Sequence, residues 1–77
     1  MSSEHYRIVG TAMATARQRA NVTQVELARH LGKPQSFVSA YEGGQRRVDV
    51  VEFLLIARVL GVDPLDLFAE IVGSLPK

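Results

Sequence analysis

The sequence contains no cysteine, which excludes disulfide bonds, zinc sites built on thiolates and thiol nucleophiles. It also has no run of about 18 apolar residues, the length that a membrane-spanning helix requires. The opening residues, MSSEHYR, do not resemble a secretory signal. We therefore expect a cytoplasmic protein that has no membrane partner.

The patterns that catalysis or ligand binding requires are equally scarce. His5 and His30 stand alone, without the spacing to other ligands that metal sites show. Ser36 and Ser39 have no base arranged near them as in a nucleophilic site, and no glycine-rich phosphate loop is present. We predict that the protein is not an enzyme and that it uses no metal, cofactor or small-molecule ligand.

The length and the apolar content predict one small folded domain. The chain has 77 residues, of which 47% are hydrophobic, and this content is ample for a core and argues against disorder. We assign residues 1–77 to a single domain. Its core is expected to span about residues 6–72, and residues 73–77 are expected to form a frayed tail.

Hydrophobic spacing and capping residues predict five helices. The first is expected over about residues 4–20, with Asn21 in the left-handed conformation at its end. The fourth begins after Asp49 and ends at Gly61, and the fifth begins after Asp63 and ends near Gly73. No segment alternates with period two, so we predict no strand and an all-α fold.

The second and third helices lie close together in the sequence. Thr23 and Glu26 form a capping box that starts one helix, and Gly32 ends it. Pro34 presets the start of the next helix, which runs to about Glu42. Two helices of about eight residues joined by a turn of three or four are typical of the helix-turn-helix, whose second helix enters the DNA major groove.

Residues 23–44, TQVELARHLGKPQSFVSAYEGG, resemble the helix-turn-helix of the Cro and phage-repressor (XRE-like) family of bacterial transcriptional regulators. The resemblance continues through EGGQRR and LLIARVLGVDPLDLF, and it covers about residues 6–72. It implies a five-helix, repressor-like DNA-binding domain with the helix-turn-helix at helices two and three. The family's small residue, turn glycine and core positions fall on Ala28, Gly32, Leu27, Leu31, Val38 and Tyr41.

The charge distribution agrees with a DNA partner, although the net charge is only +1. Residues 5–47 carry seven Lys and Arg side chains against two Glu, whereas residues 48–77 carry two basic side chains against five acidic ones. The basic part of the chain holds the helix-turn-helix, as a phosphate-binding surface requires. Ordinary scatter of surface charge would give the same pattern.

The resemblance implies that the third helix presents four side chains to base edges. Glutamine reads adenine with two hydrogen bonds, and serine bonds to several base edges. The alternative is a polar helix face turned to solvent. For Phe37 two alternatives stay open, contact with a thymine methyl group or packing beneath helix two. The predicted base-contacting residues are Gln35, Ser36, Ser39 and Ala40.

A second group is expected to bind DNA phosphates. The start of helix two has free N–H groups and a dipole that favours an anion. Relatives usually have a capping Ser or Thr where Pro34 stands, so the first N–H groups of helix three are left for water or phosphate. The predicted phosphate-contacting residues are Gln24, Lys33, Arg46 and Arg47.

One ion pair is expected to tie helix one to the end of helix three. Glu42 lies at a helix C-terminus, where the dipole disfavours a negative charge, so it requires a compensating cation. The resemblance implies that this cation is Arg17. We interpret the pair as structural.

The fourth helix is apolar on more than one side. Between residues 50 and 60 only Glu52 and Arg58 are polar, and a helix that is apolar all round must be covered. The fifth helix covers this surface within the same chain, or both helices build a homodimer interface. We favour the interface, formed by Val51, Leu55, Val59, Phe68, Ile71 and Val72.

These features predict sequence-specific binding of double-stranded DNA by a small transcriptional regulator. We expect a repressor that acts as a dimer on a palindromic operator, since one module buries little DNA surface. The alternative is a protein-interaction module, such as the antitoxin of a toxin–antitoxin pair, that binds a protein partner through its apolar C-terminal helices.

Overall fold

The computed structural model describes residues 2–76 and contains five α-helices, with no strand in that range. They are α1 (Ser3–Arg19), α2 (Gln24–Leu31), α3 (Gln35–Glu42), α4 (Val50–Leu60) and α5 (Pro64–Ser74). The predicted all-α fold is confirmed, and the predicted start of α1 lies within one residue of the observed start.

Local capping explains why most of these boundaries were readable. The side chain of Thr23 accepts a hydrogen bond from the N–H of Glu26, and Asp49 does the same for the N–H of Glu52. Gly32 ends α2 in the left-handed conformation at φ 67°, which glycine adopts without steric penalty. Asn21 has φ 59° after α1, as predicted.

The structure describes the end of the chain as far as Pro76, which includes most of the expected frayed tail. Helix α5 continues through Gly73 to Ser74, and the half-buried Leu75 packs against the core. Leu75 stands four residues after the buried Ile71, so both side chains lie on the same side of the last helical turn. Burial of Leu75 therefore extends the ordered structure; Lys77 lies outside the described residues.

All five helices contribute to one hydrophobic core. Helix α3 packs against both α1 and α2, while α4 packs against α2 and α5, and α5 against α1. Helix α3, the predicted recognition helix of the helix-turn-helix, is therefore held by two neighbours, which leaves one of its faces free. The largest fully buried side chains are Tyr41, Met13, Leu27, Ile56 and Val38.

Helix α5 leaves part of the apolar surface of α4 uncovered. The two helices meet where Phe53 and Phe68 pack edge to face, with ring centroids 6.4 Å apart. The exposed apolar side chains of these two helices in the described chain form what we call the outer apolar face. It consists of Val50, Val51, Leu54, Leu55, Leu65, Phe68 and Val72. Even so, no helix within residues 2–76 has the length and apolar character to cross a bilayer.

Two residues of the predicted interface do not belong to this face. Ile71 is only 6% exposed and lies in the core, so its assignment to an intermolecular surface was wrong. Val59 is half-buried and packs against the core. The helical phase explains the difference, because Val72 follows Ile71 by about 100° of rotation and points outward.

Candidate nucleic-acid interface

The outward face of α3 carries the side chains predicted to read bases. Gln35, Ser36 and Ser39 are exposed, and Ala40 is half-buried. The opposite face of the helix is buried against α1 and α2. Because residues spaced by four lie one above the other on a helix, the four positions form a single stripe that a groove-shaped partner can contact.

Phe37 lies in the core. Its side chain is 8% exposed, and its ring meets Tyr41 edge to face, with centroids 5.6 Å apart and planes at 73°. Of the two alternatives for Phe37, the structure adopts packing inside the domain. Burial also raises the pKa of Tyr41, so the phenol stays neutral at physiological pH.

A chain of hydrogen bonds links the first residue of α3 to the core. The amide Nε2 of Gln35 donates to Oε1 of Gln24 at 3.3 Å, and Nε2 of Gln24 donates to Oε1 of Glu42 at 2.8 Å. Glu42 in turn pairs with Arg17. These hydrogen bonds join the start and the end of the recognition helix through Gln24 of α2. They hold the Gln35 side chain in the unbound protein.

Arg17 and Glu42 form a bidentate ion pair that is nearly buried. Arg17 Nε lies 2.7 Å from Glu42 Oε2, and Nη2 lies 3.1 Å from Oε1. Arg17 Nη1 also donates to the carbonyl oxygen of Val22 at 2.9 Å. The two side chains are 12% and 6% exposed. This pair fixes the end of α3 against α1, in the arrangement expected from the resemblance.

The guanidinium of Arg46 is engaged within the protein. Nη1 and Nη2 donate to Oε1 and Oε2 of Glu52 at 3.0 and 2.9 Å, and Cζ lies 4.4 Å from the ring centroid of Phe37. The mutual hydrogen bonds lower the pKa of Glu52 and raise that of Arg46, so both stay ionised near neutral pH. The phosphate contact expected of Arg46 stays a prediction, and in the described chain its guanidinium is held by Glu52.

Two other predicted phosphate ligands, Lys33 and Arg47, stand before and after α3. Lys33 is exposed in the turn before α3, and its Nζ is 5.6 Å from the ring centroid of Phe37. Arg47 is exposed in the loop after α3, with Cζ 5.5 Å from the ring centroid of Tyr6. The turn before α3 and the loop after it thus each carry an exposed positive charge.

Two glycines that position the recognition helix were not singled out from the sequence. A Cβ on Gly10 of α1 would lie 2.5 Å from the carbonyl oxygen of Glu42 and would also meet that of Tyr41. Gly44 has φ 82°, and a Cβ there would lie 2.8 Å from the Cα of Arg7. The sequence signal for Gly10 is a glycine inside a long helical pattern. Glycine lowers helix stability, so a glycine at such a position usually has a packing reason.

The described residues hold no group of three or more His, Asp or Glu side chains that could bind a metal ion. The arrangement is a polar, partly basic surface around a helix with one face free. Such a surface is suited to binding a polyanion with a groove.

Comparison with known proteins identifies relatives over nearly the whole chain. A family model described as helix-turn-helix matches residues 13–67. Among solved structures, the chain is similar to an XRE-family like protein from Pseudomonas syringae pv. tomato str. DC3000. The two are 41% identical with a TM-score of 0.79, over 95% of this chain and 89% of the other.

Two named regulators have the same fold. The clp gene regulator ClgR from Corynebacterium glutamicum is 25% identical with a TM-score of 0.85, over 94% of each chain. The restriction-modification controller protein C.AhdI from Aeromonas hydrophila is 32% identical with a TM-score of 0.74, over 82% of this chain and 96% of the other. Among curated protein sequences, none matches the chain at a significant level.

Proposed function

Because this chain belongs to the XRE-like helix-turn-helix family, we propose that it binds double-stranded DNA in a sequence-specific manner and regulates transcription. The simplest form of this function is a repressor that acts as a dimer on a palindromic operator in the cytoplasm. The family consists of DNA-binding proteins without enzymatic activity, which confirms the prediction that the protein is not an enzyme.

The free face of α3 supports base readout, and this observation carries the proposal. Gln35, Ser36 and Ser39 are exposed along one stripe at the helix end that enters the major groove in this class of domain. The hydrogen bond from Gln35 to Gln24 restricts the reading side chain. A side chain held in advance loses less conformational freedom on binding. Gln35 is therefore the residue from which we expect the largest contribution to specificity.

Phosphate contacts are proposed at the borders of this stripe. Lys33 and Arg47 are exposed on the turn and on the loop that flank α3. The side chain of Gln24 already bonds to Glu42, so the free N–H groups at the start of α2 are the donors that we assign to a phosphate there. Contacts of this kind fix register and affinity but carry no sequence information.

The outer apolar face supports a homodimer as the acting form. It places seven large apolar side chains in solvent on two adjacent helices. Monomeric proteins rarely expose a contiguous apolar patch larger than a few hundred Å² without a binding role. A two-fold dimer covers the same surface on both copies, and it presents two recognition helices to a palindrome.

A titration against the DNA upstream of the protein's own gene tests the proposal. We expect binding about 10³-fold or more tighter than to a scrambled sequence of equal length, with affinity falling steeply as salt rises. Gln35→Ala should weaken operator binding by about 1–3 kcal/mol and leave binding to scrambled DNA unchanged, because it removes a base contact.

Gln18→Ala is the matched control, since Gln18 is an exposed glutamine near the end of α1 and is not among the residues of the proposed interface. It should bind the operator like the wild type. Equal affinity of the wild type for operator and scrambled DNA would contradict sequence-specific regulation. Equal loss in the two glutamine variants would contradict base readout by Gln35.

Sedimentation tests the dimer by comparing the oligomeric state of the Leu54→Glu and Val25→Glu variants. Both wild-type side chains are about half exposed, at 48% and 55%, but only Leu54 lies on the outer apolar face. We expect a wild-type dimer, a monomeric Leu54→Glu protein and a dimeric Val25→Glu protein, because a buried unpaired carboxylate disfavours association strongly.

Thermal unfolding at low protein concentration should show that both variants remain folded. A wild-type monomer at all concentrations would overturn the homodimer. The outer apolar face would then favour a different protein as its partner, which is the arrangement expected of an antitoxin.

A further inference from the structure

The loop between α3 and α4 is held by one guanidinium with three different contacts. Arg46 donates two parallel hydrogen bonds to the Glu52 carboxylate, stacks on the Phe37 ring and donates through Nη1 to the carbonyl oxygen of Arg47 at 2.6 Å. It thereby joins the loop to both the recognition helix and the first turn of α4. We call this arrangement the loop clamp.

Glu52 is fixed from a second direction. Its Oε1 also accepts from the backbone N–H of Asp49, and its own N–H donates to Oδ1 of Asp49. The side chain of Glu52 is 18% exposed and that of Arg46 is 40% exposed. The capping box of α4 therefore holds the carboxylate in the position that receives the guanidinium.

A phosphate would have to compete with this carboxylate for Arg46. Bidentate pairs between arginine and a carboxylate are among the stronger protein hydrogen bonds, and their planar geometry is specific. The positive charge of Arg46 is also balanced by Glu52, so the pair adds little to the attraction for a polyanion. The neighbouring Arg47 has no carboxylate within salt-bridge distance in the described chain.

We propose that Arg46 and Glu52 are positioning residues, which hold the backbone of Arg47 so that Arg47 meets a DNA phosphate beside the recognition helix. The contact between Arg46 Nη1 and the Arg47 carbonyl is the direct link between the clamp and the phosphate ligand. This inference rests on the proposed DNA-binding function. In this role Arg46 requires the planar shape of its guanidinium and not merely its positive charge.

Arg46→Lys separates shape from charge. Lysine keeps the positive charge but loses the planar fork and the stacking on Phe37. If the clamp acts through Arg47, Arg46→Lys should weaken operator binding about tenfold, which is the lower range for one hydrogen bond to a charged group. In an Arg47→Ala background the same change should have no further effect, because residues that act through one another are not additive.

The titrations require the wild type, Arg46→Lys, Arg47→Ala and the double variant, each measured on operator DNA at several salt concentrations. Arg47→Ala should lower the salt slope by about one, as the loss of one phosphate contact predicts. Arg29→Lys is the matched control, since Arg29 is an exposed arginine of α2 outside the proposed interface. It should bind DNA like the wild type.

Amide relaxation of the free protein gives a readout that needs no DNA. We expect Arg46→Lys to increase the motion of residues 45–48, while Arg29→Lys leaves this loop ordered. Glu52→Gln keeps the capping geometry, because glutamine also fits a capping box, but it removes the charge that holds Arg46. It should loosen the same loop and should not tighten DNA binding.

Three results would overturn the clamp. Wild-type affinity in Arg46→Lys would show that charge alone suffices, as for a direct phosphate ligand. An equal loss of operator affinity from Arg46→Lys in the wild type and in the Arg47→Ala background would show a general effect on the domain. Tighter DNA binding by Glu52→Gln would show that Glu52 competes with phosphate for Arg46. A wild-type protein that binds no DNA specifically would instead refute the proposed function and the clamp's role in it, while the relaxation data would still report whether Arg46 orders the loop.

Discussion

Replacing Glu42 with alanine should lower the free energy of unfolding by about 3–5 kcal/mol, since removal of one partner leaves a nearly buried charge without compensation. The guanidinium of Arg17 would keep the Val22 carbonyl as an acceptor but would lose both carboxylate oxygens. Gln24 Nε2 would lose its acceptor as well. For a domain of 77 residues this is a large part of the total stability, which is about 0.05–0.15 kcal/mol per residue.

Urea unfolding at neutral pH measures this loss, and Glu70→Ala is its matched control. Glu70 pairs with Arg19 at 3.2 Å, but the two side chains are 48% and 67% exposed. Exposed pairs of this kind contribute about 0–1 kcal/mol. A similar, small effect of the two alanine variants would contradict a structural role for the pair of Arg17 and Glu42.

Glu42→Gln separates the charge from the hydrogen bonds. Glutamine keeps one oxygen that accepts from Arg17 or Gln24, so we expect a loss smaller than that of Glu42→Ala. Because Gln35 is joined to Glu42 through Gln24, operator binding by the folded fraction should also weaken. An unchanged operator affinity in a fully folded Glu42→Gln protein would show that the hydrogen-bond chain does not orient Gln35.

Gly10→Ala should destabilise the domain by about 1–3 kcal/mol, although alanine is the better helix former, because overpacking forces the backbone to move. The added Cβ would lie 2.5 Å from the carbonyl oxygen of Glu42 and 2.8 Å from its carbonyl carbon. These are main-chain atoms, which cannot rotate away as the end of a side chain can. Helices α1 and α3 must therefore separate, and the recognition helix is displaced.

Replacing Gly73 with alanine should not lower the free energy of unfolding. Gly73 lies in α5, and a Cβ there would meet nothing within 4 Å. Gly73→Ala should therefore leave stability unchanged or raise it by up to about 1 kcal/mol through helix propensity. Urea midpoints of the two variants test this contrast. If Gly10→Ala were as stable as Gly73→Ala, the close approach of α1 and α3 would be wrong.

The two predictions concern the same junction. Glu42 and Gly10 both set the distance between α1 and the end of α3, one by attraction and the other by the absence of a side chain. A recognition helix must present its side chains within a fraction of an ångström of the correct position. We expect variants at this junction to lose operator affinity even where the protein remains folded.

The sequence by itself determined the helices and the class of the domain. Capping boxes at Thr23 and Asp49 and left-handed residues at Asn21 and Gly32 act within four residues of a helix end, so the local sequence suffices to predict them. The helix-turn-helix was equally readable, because its spacing and turn are contiguous in the chain. The positions of α3 expected to face outward came from the resemblance to the family, and three of them, Gln35, Ser36 and Ser39, are exposed.

Only the tertiary structure decided which side chains meet. Ile71 and Val72 are both apolar, yet one is buried and the other is exposed, because the angle at which α5 packs selects the inward side of the helix. Phe37 lies in the core because Tyr41 and the stacked Arg46 cover its ring.

The partners of the charged and polar groups were decided in the same way. Arg46 binds Glu52 across the loop, and Gln24 reaches Glu42 across 18 positions. Such contacts depend on the distances and crossing angles between helices, and these are set by packing of the whole core. The sequence therefore established what the domain is, whereas the packing of α1 and α4 against the helix-turn-helix established which residues hold the recognition surface in place.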